Sequence, residues 1–195
     1  EAVIGVRMLP VDAVFRRFPR LVRDLSARLG KQVRLRTIGE GTELDKGLIE
    51  RIADPLVHLV RNSIDHGLEM PEVRAQAGKD ETGTITLAAS HQGGHIVIEV
   101  SDDGRGLNRE RILAKAAERG LAVPENPTDA QVWDLIFQPG FSTAEAVTDL
   151  SGRGVGMDVV RRNIQALGGE VQLESAAGHG TRVVIRLPLT LAILD

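Results

Sequence analysis

The sequence predicts a two-layer α/β sandwich, in which helices cover one face of a mixed, largely antiparallel sheet. Segments with apolar residues at helical spacing alternate with pairs of strand-like segments that are joined by short turns. The steady strand–helix alternation of a doubly wound parallel sheet is missing. With 195 residues, 42% of them hydrophobic, the chain can bury one good-sized core.

Composition excludes several classes of function. A net charge of -3 gives no reason to expect a nucleic-acid partner. The absence of cysteine excludes disulfides and thiolate metal sites, and it fits a cytoplasmic protein. No apolar run approaches the ~20 residues that cross a membrane, so we expect no direct membrane insertion. Both ends fall within structured-looking sequence, and a piece of a larger protein is therefore expected.

The first predicted elements are a helix and a strand. Residues 11–29 carry apolar side chains at helical spacing, Gly30 is placed to end the helix, and Pro19 predicts a kink or restart inside it. Alternation over 32–38 predicts a strand, which residues 39–42 follow as a loop.

A long helix comes next. It is predicted from about residue 46 to 66, with Gly67 as its stop. Asp54 followed by Pro55 is typical of an N-cap and a first helical residue, so we expect the helix to restart there. A short helix is predicted over 71–77.

The rest of the chain continues this alternation. The predicted elements are a hairpin of strands 84–90 and 96–101, helices 108–119 and 129–137, a helix 155–167 that begins in a glycine-rich loop, and a hairpin of strands 171–175 and 181–187.

Three polar residues form a stripe on the long helix. His58, Asn62 and His66 are four residues apart, a spacing that places them on one helical face. A carboxamide oxygen such as that of Asn62 suits Mg²⁺, which takes most of its other ligands from water and phosphate. The alternative is an ordinary surface asparagine. The two histidines are about 12 Å apart along the helix, which disfavours a shared zinc ion.

A carboxylate and glycines follow the strand 96–101. Asp102 stands at the strand end, and Gly104 and Gly106 come directly after it. A carboxylate there can accept a hydrogen bond from an exocyclic amine while the backbone passes close to a flat ring. The alternative is a simple turn, because Asp-Gly is a strong turn signal.

Glycines recur near the C-terminus. Residues 152–156 lead into a helix, where free N–H groups and the helix dipole attract phosphate, or where the glycines form only a hinge. The spacing is neither a Rossmann fingerprint nor a P-loop. Residues 138–151 form a long polar stretch without clear periodicity, which indicates a lid over a nucleotide or a disordered loop. Residues 178–181 fit a third glycine-rich contact or a hairpin turn.

In this order, the motifs resemble the ATP-binding kinase domain of the CheA family of chemotaxis histidine kinases, in the GHKL group of gyrase, Hsp90, histidine kinases and MutL. Residues 58–67 resemble that group's N box, 102–106 its first glycine box, 137–143 its F box, 151–160 its second glycine box and 178–181 its last. The resemblance covers nearly the whole chain and implies a Bergerat-type ATPase fold that binds ATP with Mg²⁺.

The resemblance also implies site residues. Asp102 is expected to accept the adenine amino group, and Asn62 to ligate Mg²⁺. His58, Asn62 and His66 are the expected catalytic residues. The residues expected to contact the nucleotide are Arg61, Asn62, Asp65, His66, Asp102, Gly104, Gly106, Phe141, Ser142, Thr143, Gly152, Arg153, Gly154, Val155, Gly156, Met157 and Thr181.

The implied activity is transfer of the ATP γ-phosphoryl group, in trans, to a histidine on a separate phosphotransfer domain. His58 occupies the place where gyrase-like ATPases have a water-activating glutamate, which disfavours hydrolysis as the main reaction. Whether His58 and His66 contact phosphate or polarise the acceptor is left open. The alternatives are a GHKL ATPase whose lid controls partner binding, and a nucleotide-binding module without catalysis.

The resemblance further implies a domain division and partners. Residues 1–8 are expected to end a dimerisation or linker region, 9–188 to form the catalytic domain, and 189–195 to begin a regulatory domain. We expect the full-length protein to be homodimeric and coupled to chemoreceptors, an adaptor and a response regulator, in a two-component phosphorelay.

Overall fold

The structure, a computed structural model, describes residues 7–142 and 156–189. Within these residues the helices are α1 Asp12–Phe15, α2 Phe18–Leu29, α3 Lys46–Asn62, α4 Pro71–Gln76, α5 Arg109–Glu118, α6 Asp129–Asp134 and α7 Met157–Ala166. The strands are β1 Met8–Pro10, β2 Val33–Ile38, β3 Glu43–Asp45, β4 Gly83–Gln92, β5 His95–Asp102, β6 Glu170–Ala176 and β7 Gly180–Pro188.

The main sheet has five strands in the order β2-β4-β5-β7-β6. The β2–β4 pair is parallel and the other pairs are antiparallel, which confirms the predicted mixed, largely antiparallel sheet. In the β5–β7 register Asp102 lies opposite Thr181, so two of the predicted motifs lie side by side at the same end of these neighbouring strands. A second sheet of β1 and β3, too short for a clear alternation pattern, was not predicted.

Helices pack on one face of the main sheet. Ile85, Ile98 and Ile185, from three neighbouring strands, belong to the same buried cluster as Phe18 of α2 and Leu56 of α3. Apolar residues of α5 and α6 form a second buried cluster, which partly buried side chains join to the first. The predicted two-layer arrangement is therefore confirmed.

The long helix α3 corrects one prediction. It does not restart at Asp54: the helix is continuous through Pro55, and its N-cap is Asp45, whose carboxylate accepts a hydrogen bond from the Leu48 N–H at 3.3 Å. Proline inside a helix costs about 3 kcal/mol. Burial of Ile52 and Leu56 on either side of Pro55 outweighs that cost.

The end of this helix also differs from the prediction. Residues Ser63–Gly67 form a single π-helical turn, in which the Leu68 N–H donates to the Ser63 carbonyl at 2.8 Å. Lys31 stabilises the turn by donating to the carbonyls of Ile64 at 2.6 Å and Asp65 at 2.9 Å. Because a π turn is wider than an α turn, the spacing of His66 from Asn62 departs from the regular α-helical one.

The other predicted elements are present with shifted ends. The first predicted helix is divided at residues 16–17, and Pro19 lies in the first turn of α2, where proline is tolerated. The predicted helix 129–137 consists of α6 followed by a 3-10 turn, Leu135–Phe137. In the described part of the chain, no helix is both long and apolar enough to cross a membrane.

Candidate functional site

A cavity of about 300 Å³ lies between α3, the π turn, the facing ends of β5 and β7, and the start of α7. Its walls are mostly apolar, with a few polar groups, as is typical of small-molecule sites. The lining residues are Leu59, Asn62, Ser63, His66, Gly67, Asp102, Gly106, Leu107, Lys115, Ile136, Ser142, Met157, Leu173, Thr181 and Val183. The cavity thus brings together the N-box residues, the first glycine box and the last one.

Asp102 provides a largely buried carboxylate to this cavity. Burial raises its pKa, hydrogen bonds from the Gly104 N–H, the Ser63 hydroxyl and the Thr181 N–H counteract part of that rise, and the charge of Asp103 adds to it. The Gly104 N–H donates to Asp102 Oδ1 at 2.9 Å. A desolvated, oriented carboxylate of this kind can accept a hydrogen bond from an amino group of a bound ring.

Glycines allow the backbones around Asp102 to come close together. A Cβ on Gly104 would lie 2.1 Å from the Gly67 carbonyl oxygen, and one on Gly180 would lie 1.9 Å from the carbonyl oxygen of Asp102. Gly106 has φ +77°, and its Cβ would lie 2.4 Å from the carbonyl oxygen of Ala176. Packing therefore requires glycine at all three positions, and at Gly106 and Gly180 the positive φ favours it as well.

Asn62 lies in the wall of the cavity, where its Nδ2 donates to Met157 Sδ at 3.5 Å. His58, one turn earlier on α3, is half-buried and does not line this cavity. Arg61 is half-buried beside Asn62 and is also not a lining residue. Of the predicted stripe, Asn62 and His66 therefore reach the cavity.

A second cavity of about 830 Å³, the open cavity, shares five lining residues with the first, the inner cavity: His66, Gly106, Leu107, Lys115 and Ile136. Cationic side chains line it: Arg105 follows the glycine box, and Arg111 and Lys115 are one turn apart on α5. Predicted residue Asp65 lies here too, with its Oδ2 3.4 Å from His66 Nε2. Glu118 is a second carboxylate in this lining, so Arg105, Arg111 and Lys115 leave a small excess of positive charge, which suits a polyanion such as a phosphate chain.

The F-box region and the start of α7 complete the site. Phe141 lines the open cavity, with Lys115 Nζ 4.8 Å from its ring centroid, and Ser142 lines the inner cavity. Met157 is the first residue of α7, and Gly156 precedes it as the N-cap. The predicted residues Thr143 and 152–155 lie outside the described residues.

The sequence reasoning missed Arg111 and Lys115. Their only signal was a pair of cations at i and i+4 on a helix that begins soon after a glycine-rich loop. Ser63 was missed as well, because the π turn that directs it toward Asp102 was not predicted. Gly104 was predicted to contact the nucleotide, but it lies behind Asp102 and is not a lining residue of either cavity.

The residues present fit a Mg²⁺ ion that arrives with phosphate. No group of three or more His, Asp or Glu side chains able to hold a metal is found in residues 7–142 and 156–189. A Mg²⁺ ion at Asn62 would therefore take its remaining ligands from phosphate oxygens and water, which is the usual arrangement for this ion.

The fold and this cavity are those of a nucleotide-binding ATPase domain. Residues 47–191 match the family described as histidine kinase-, DNA gyrase B- and HSP90-like ATPases, and the chain belongs to that family. The chain is 67% identical over its whole length to the chemotaxis protein CheA of Salmonella typhimurium, and 53% identical over 99% of its length to CheA of Bacillus subtilis. It is thus of the CheA type and corresponds to the ATP-binding catalytic domain of these histidine kinases.

The chain spans 29% of the length of each of these two relatives. Solved structures agree on the fold. The catalytic domain of histidine kinase ThkA matches with a TM-score of 0.59 at 18% identity, covering 96% of this chain and 97% of that one. The histidine kinase domain of a blue-light-activated kinase from Erythrobacter litoralis matches with a TM-score of 0.53 at 19% identity, covering 93% and 62%.

Proposed function

We propose that the chain binds ATP with its adenine at Asp102 and its phosphates near Asn62 and Lys115, and transfers the γ-phosphoryl group to a histidine on a separate phosphotransfer domain. The observation that carries this proposal is the position of Asp102. A buried, oriented carboxylate lies at one end of a mostly apolar cavity whose other end opens onto a group of cations. This polarity matches a purine with a phosphate chain.

The residues around the phosphates have separable roles. Lys115 and Arg111 would bind phosphate oxygens and offset the charge that develops on them. Asn62 would hold Mg²⁺, which would supply positive charge to offset that of the phosphates. His66, exposed at the junction of the two cavities, would contact phosphate or the incoming acceptor. His58 would act by positioning, since it does not line the inner cavity.

Transfer in trans is supported by the places of the five histidines. His58 and His66 belong to the N-box region, while His91 and His95 flank the turn between β4 and β5. His179 lies in the turn before β7. None of these positions is an exposed face of a helix bundle on which a phosphotransfer domain would present its histidine.

The similarity to CheA proteins supports a proposal for the wider setting. The full-length protein is proposed to be a cytoplasmic homodimer that is coupled to chemoreceptors through an adaptor and passes its phosphoryl group to a response regulator. The division into a linker at 1–8, the catalytic domain at 9–188 and a regulatory domain from 189 remains a prediction.

Phosphoryl transfer tests the proposal directly. The chain is incubated with Mg²⁺, γ-labelled ATP and separately purified histidine phosphotransfer domains. We expect acid-labile label on an added domain, and at least a 100-fold slower transfer for Asn62→Ala, which is the size of effect seen when one transition-state contact is removed. Asn163→Ala is the matched control, because Asn163 is exposed on α7 and lines neither cavity.

The outcomes separate the competing functions. Phosphate released to water, with no label on any domain, would favour the lid-controlled ATPase. Nucleotide binding without transfer or hydrolysis would contradict the proposed activity and favour a module that only binds. Transfer that is equally fast in Asn62→Ala and Asn163→Ala would contradict the role of Asn62 while leaving the kinase activity in place.

A further inference from the structure

A buried ionic network lies directly behind the Asp102 loop. Arg74, in the last turn of α4, has only 2% of its side chain exposed. Its guanidinium donates from Nη1 to Glu69 Oε1 at 2.9 Å and to the Asp103 carbonyl at 3.1 Å, while Nε donates to the Asp80 carbonyl at 2.6 Å. Its Nη2 lies 3.2 Å from Asp103 Oδ2. Each of the three guanidinium nitrogens of Arg74 therefore has at least one partner.

Lys79 extends the network along the loop. Its Nζ donates to Glu69 Oε2 at 2.8 Å, to the Asp103 carbonyl at 3.0 Å and to the Gly104 carbonyl at 2.8 Å. Burial acts to raise the pKa of Glu69, but the hydrogen bond from Lys79 and the charges of Lys79 and Arg74 bring it below its ordinary value. Glu69 is thus a carboxylate shared by two cations, both of which bind the loop backbone.

The bonded loop is the one that orients Asp102. The Gly104 N–H donates to Asp102 Oδ1, so any shift of the 103–104 backbone moves the donor that holds this carboxylate. On its other side the loop is bounded by the Gly67 carbonyl, which accepts from the Arg105 N–H at 2.9 Å. Glu69, Arg74 and Lys79 do not line either cavity, so their influence on a ligand must pass through the loop.

A purely stabilising role explains this arrangement poorly. A buried ion pair often contributes little net stability compared with apolar residues of similar volume, because desolvation offsets the attraction. What such a pair does supply is fixed geometry, and here the geometry is fixed at the two carbonyls next to Asp102.

We infer that Arg74 and Lys79 are positioning residues for adenine recognition: together with Glu69 they hold the 103–104 backbone so that Asp102 keeps the orientation that selects an adenine ring. The inference rests on the proposed function of Asp102. It assigns a role in nucleotide selection to a segment, 69–80, that lies outside the glycine-rich boxes and the cavity.

The test compares the affinity of the chain for ADP and for GDP, in Mg²⁺ buffer, by calorimetry. Lys79→Met is the main variant, because 20% of the Lys79 side chain is exposed and methionine can fill its place. We expect its Kd for ADP to rise about 10-fold, the lower end of the effect that loss of an orienting partner has at metal ligands. The Kd for GDP should change less, so the preference for ADP falls. Lys79→Arg should restore most of the preference.

Arg109→Met is the matched control. Arg109 also donates to a carboxylate and a backbone carbonyl, those of Asp129 and Pro127, both at 2.7 Å, but it is not bonded to the Asp102 loop. Its ion pair is more exposed than that of Lys79, so Arg109→Met should lower the melting temperature by less, and it should leave the ADP preference unchanged. If Lys79→Met does not fold, Arg74→Lys replaces it, since it keeps the charge and loses the fork, and the same drop in preference is expected.

Asp102→Asn separates this inference from the proposed function. If Asp102→Asn leaves the ADP preference unchanged, the adenine role of Asp102 is wrong and the inference fails with it. If Asp102→Asn reduces the preference and the variants of Lys79 and Arg74 do not, the inference alone is overturned and the proposed function stands. A loss of preference in Arg109→Met equal to that in Lys79→Met would also overturn the inference, because general destabilisation would then explain both.

Discussion

At the Asp102 end of the site backbone atoms determine the shape, whereas at the Lys115 end long charged side chains determine it. Gly104 and Gly180 bring main chains together at distances that exclude a Cβ, and the buried Arg74 and the partly buried Lys79 bind the loop from behind. Around Lys115 the cations line an open cavity. The difference matches the ligands proposed for each end, because a flat ring needs fixed geometry and a phosphate chain mainly needs charge.

The comparison predicts that the Asp102 end tolerates the least change. Gly104→Ala should produce the largest effect, because the new Cβ would lie 2.1 Å from the Gly67 carbonyl oxygen and 2.9 Å from Asp102 Oδ1. We expect the free energy of unfolding to fall by about 3 kcal/mol, at the upper end for overpacking, and ADP binding to be lost. Thermal unfolding and calorimetry measure the two effects.

Gly41→Ala is the control for this change, since nothing lies within 4 Å of a Cβ at that position. It should leave both stability and ADP binding unchanged. Wild-type binding by Gly104→Ala would mean that the loop can move away from Gly67, and that the Asp102 end is no more rigid than the other.

An intermediate effect is expected at the Lys115 end. Lys115→Met removes one cation from the open cavity and its contact with the Phe141 ring. ATP affinity should fall about 10-fold, a loss of ~1.4 kcal/mol that is close to the value of one hydrogen bond to a charged group. The affinity for adenosine, which has no phosphate, should stay the same. Added salt should reduce the difference between the two proteins.

Lys46→Met, at the opposite end of α3, is the matched control and should bind both ligands normally. Equal weakening of ATP and adenosine by Lys115→Met would show that Lys115 shapes the cavity rather than binding phosphate, and the two ends would then act in the same way.

The two ends also differ in how far the sequence predicts them. Asp102 and the glycines after it could be predicted because they follow directly from a strand, so local sequence carries their geometry. Arg111 and Lys115 could not, because their role depends on how α5 packs beside the loop. Two cations at i and i+4 also occur on solvated helices that bind nothing, so the pattern alone does not indicate a site.

The π turn marks a further limit. The spacing of His58, Asn62 and His66 predicts one regular α-helical stripe, yet the α-helix ends at Asn62 and a π turn, Ser63–Gly67, follows it. Of these three residues, Asn62 and His66 line the cavity and His58 does not. The bonds that stabilise the turn come from Lys31, more than thirty residues away in sequence, through the carbonyls of Ile64 and Asp65. A contact over that distance has no trace in local periodicity.

The smallest predicted effect is the pH dependence that the buried Asp102 carboxylate causes. Burial raises its pKa above the ordinary value of 3.8, so the folded chain holds the proton more tightly than the unfolded chain. This contribution to stability is fully present below the unfolded pKa and is lost as pH rises through the folded pKa. The melting temperature of Asp102→Asn minus that of the wild type should therefore increase over this window and then level off.

Melting curves of both proteins from pH 3.5 to 8, without nucleotide, measure this difference, and Asp24→Asn on the exposed side of α2 controls for the general effect of removing a carboxylate. In the wild type, ADP affinity should rise over the same window, because only the ionised carboxylate is purely an acceptor. A flat stability difference combined with a pH-dependent affinity would mean that the change in affinity does not come from Asp102. Burial of the Asp102 carboxylate would then have no measurable electrostatic cost. The two ends of the site would differ only in their shape.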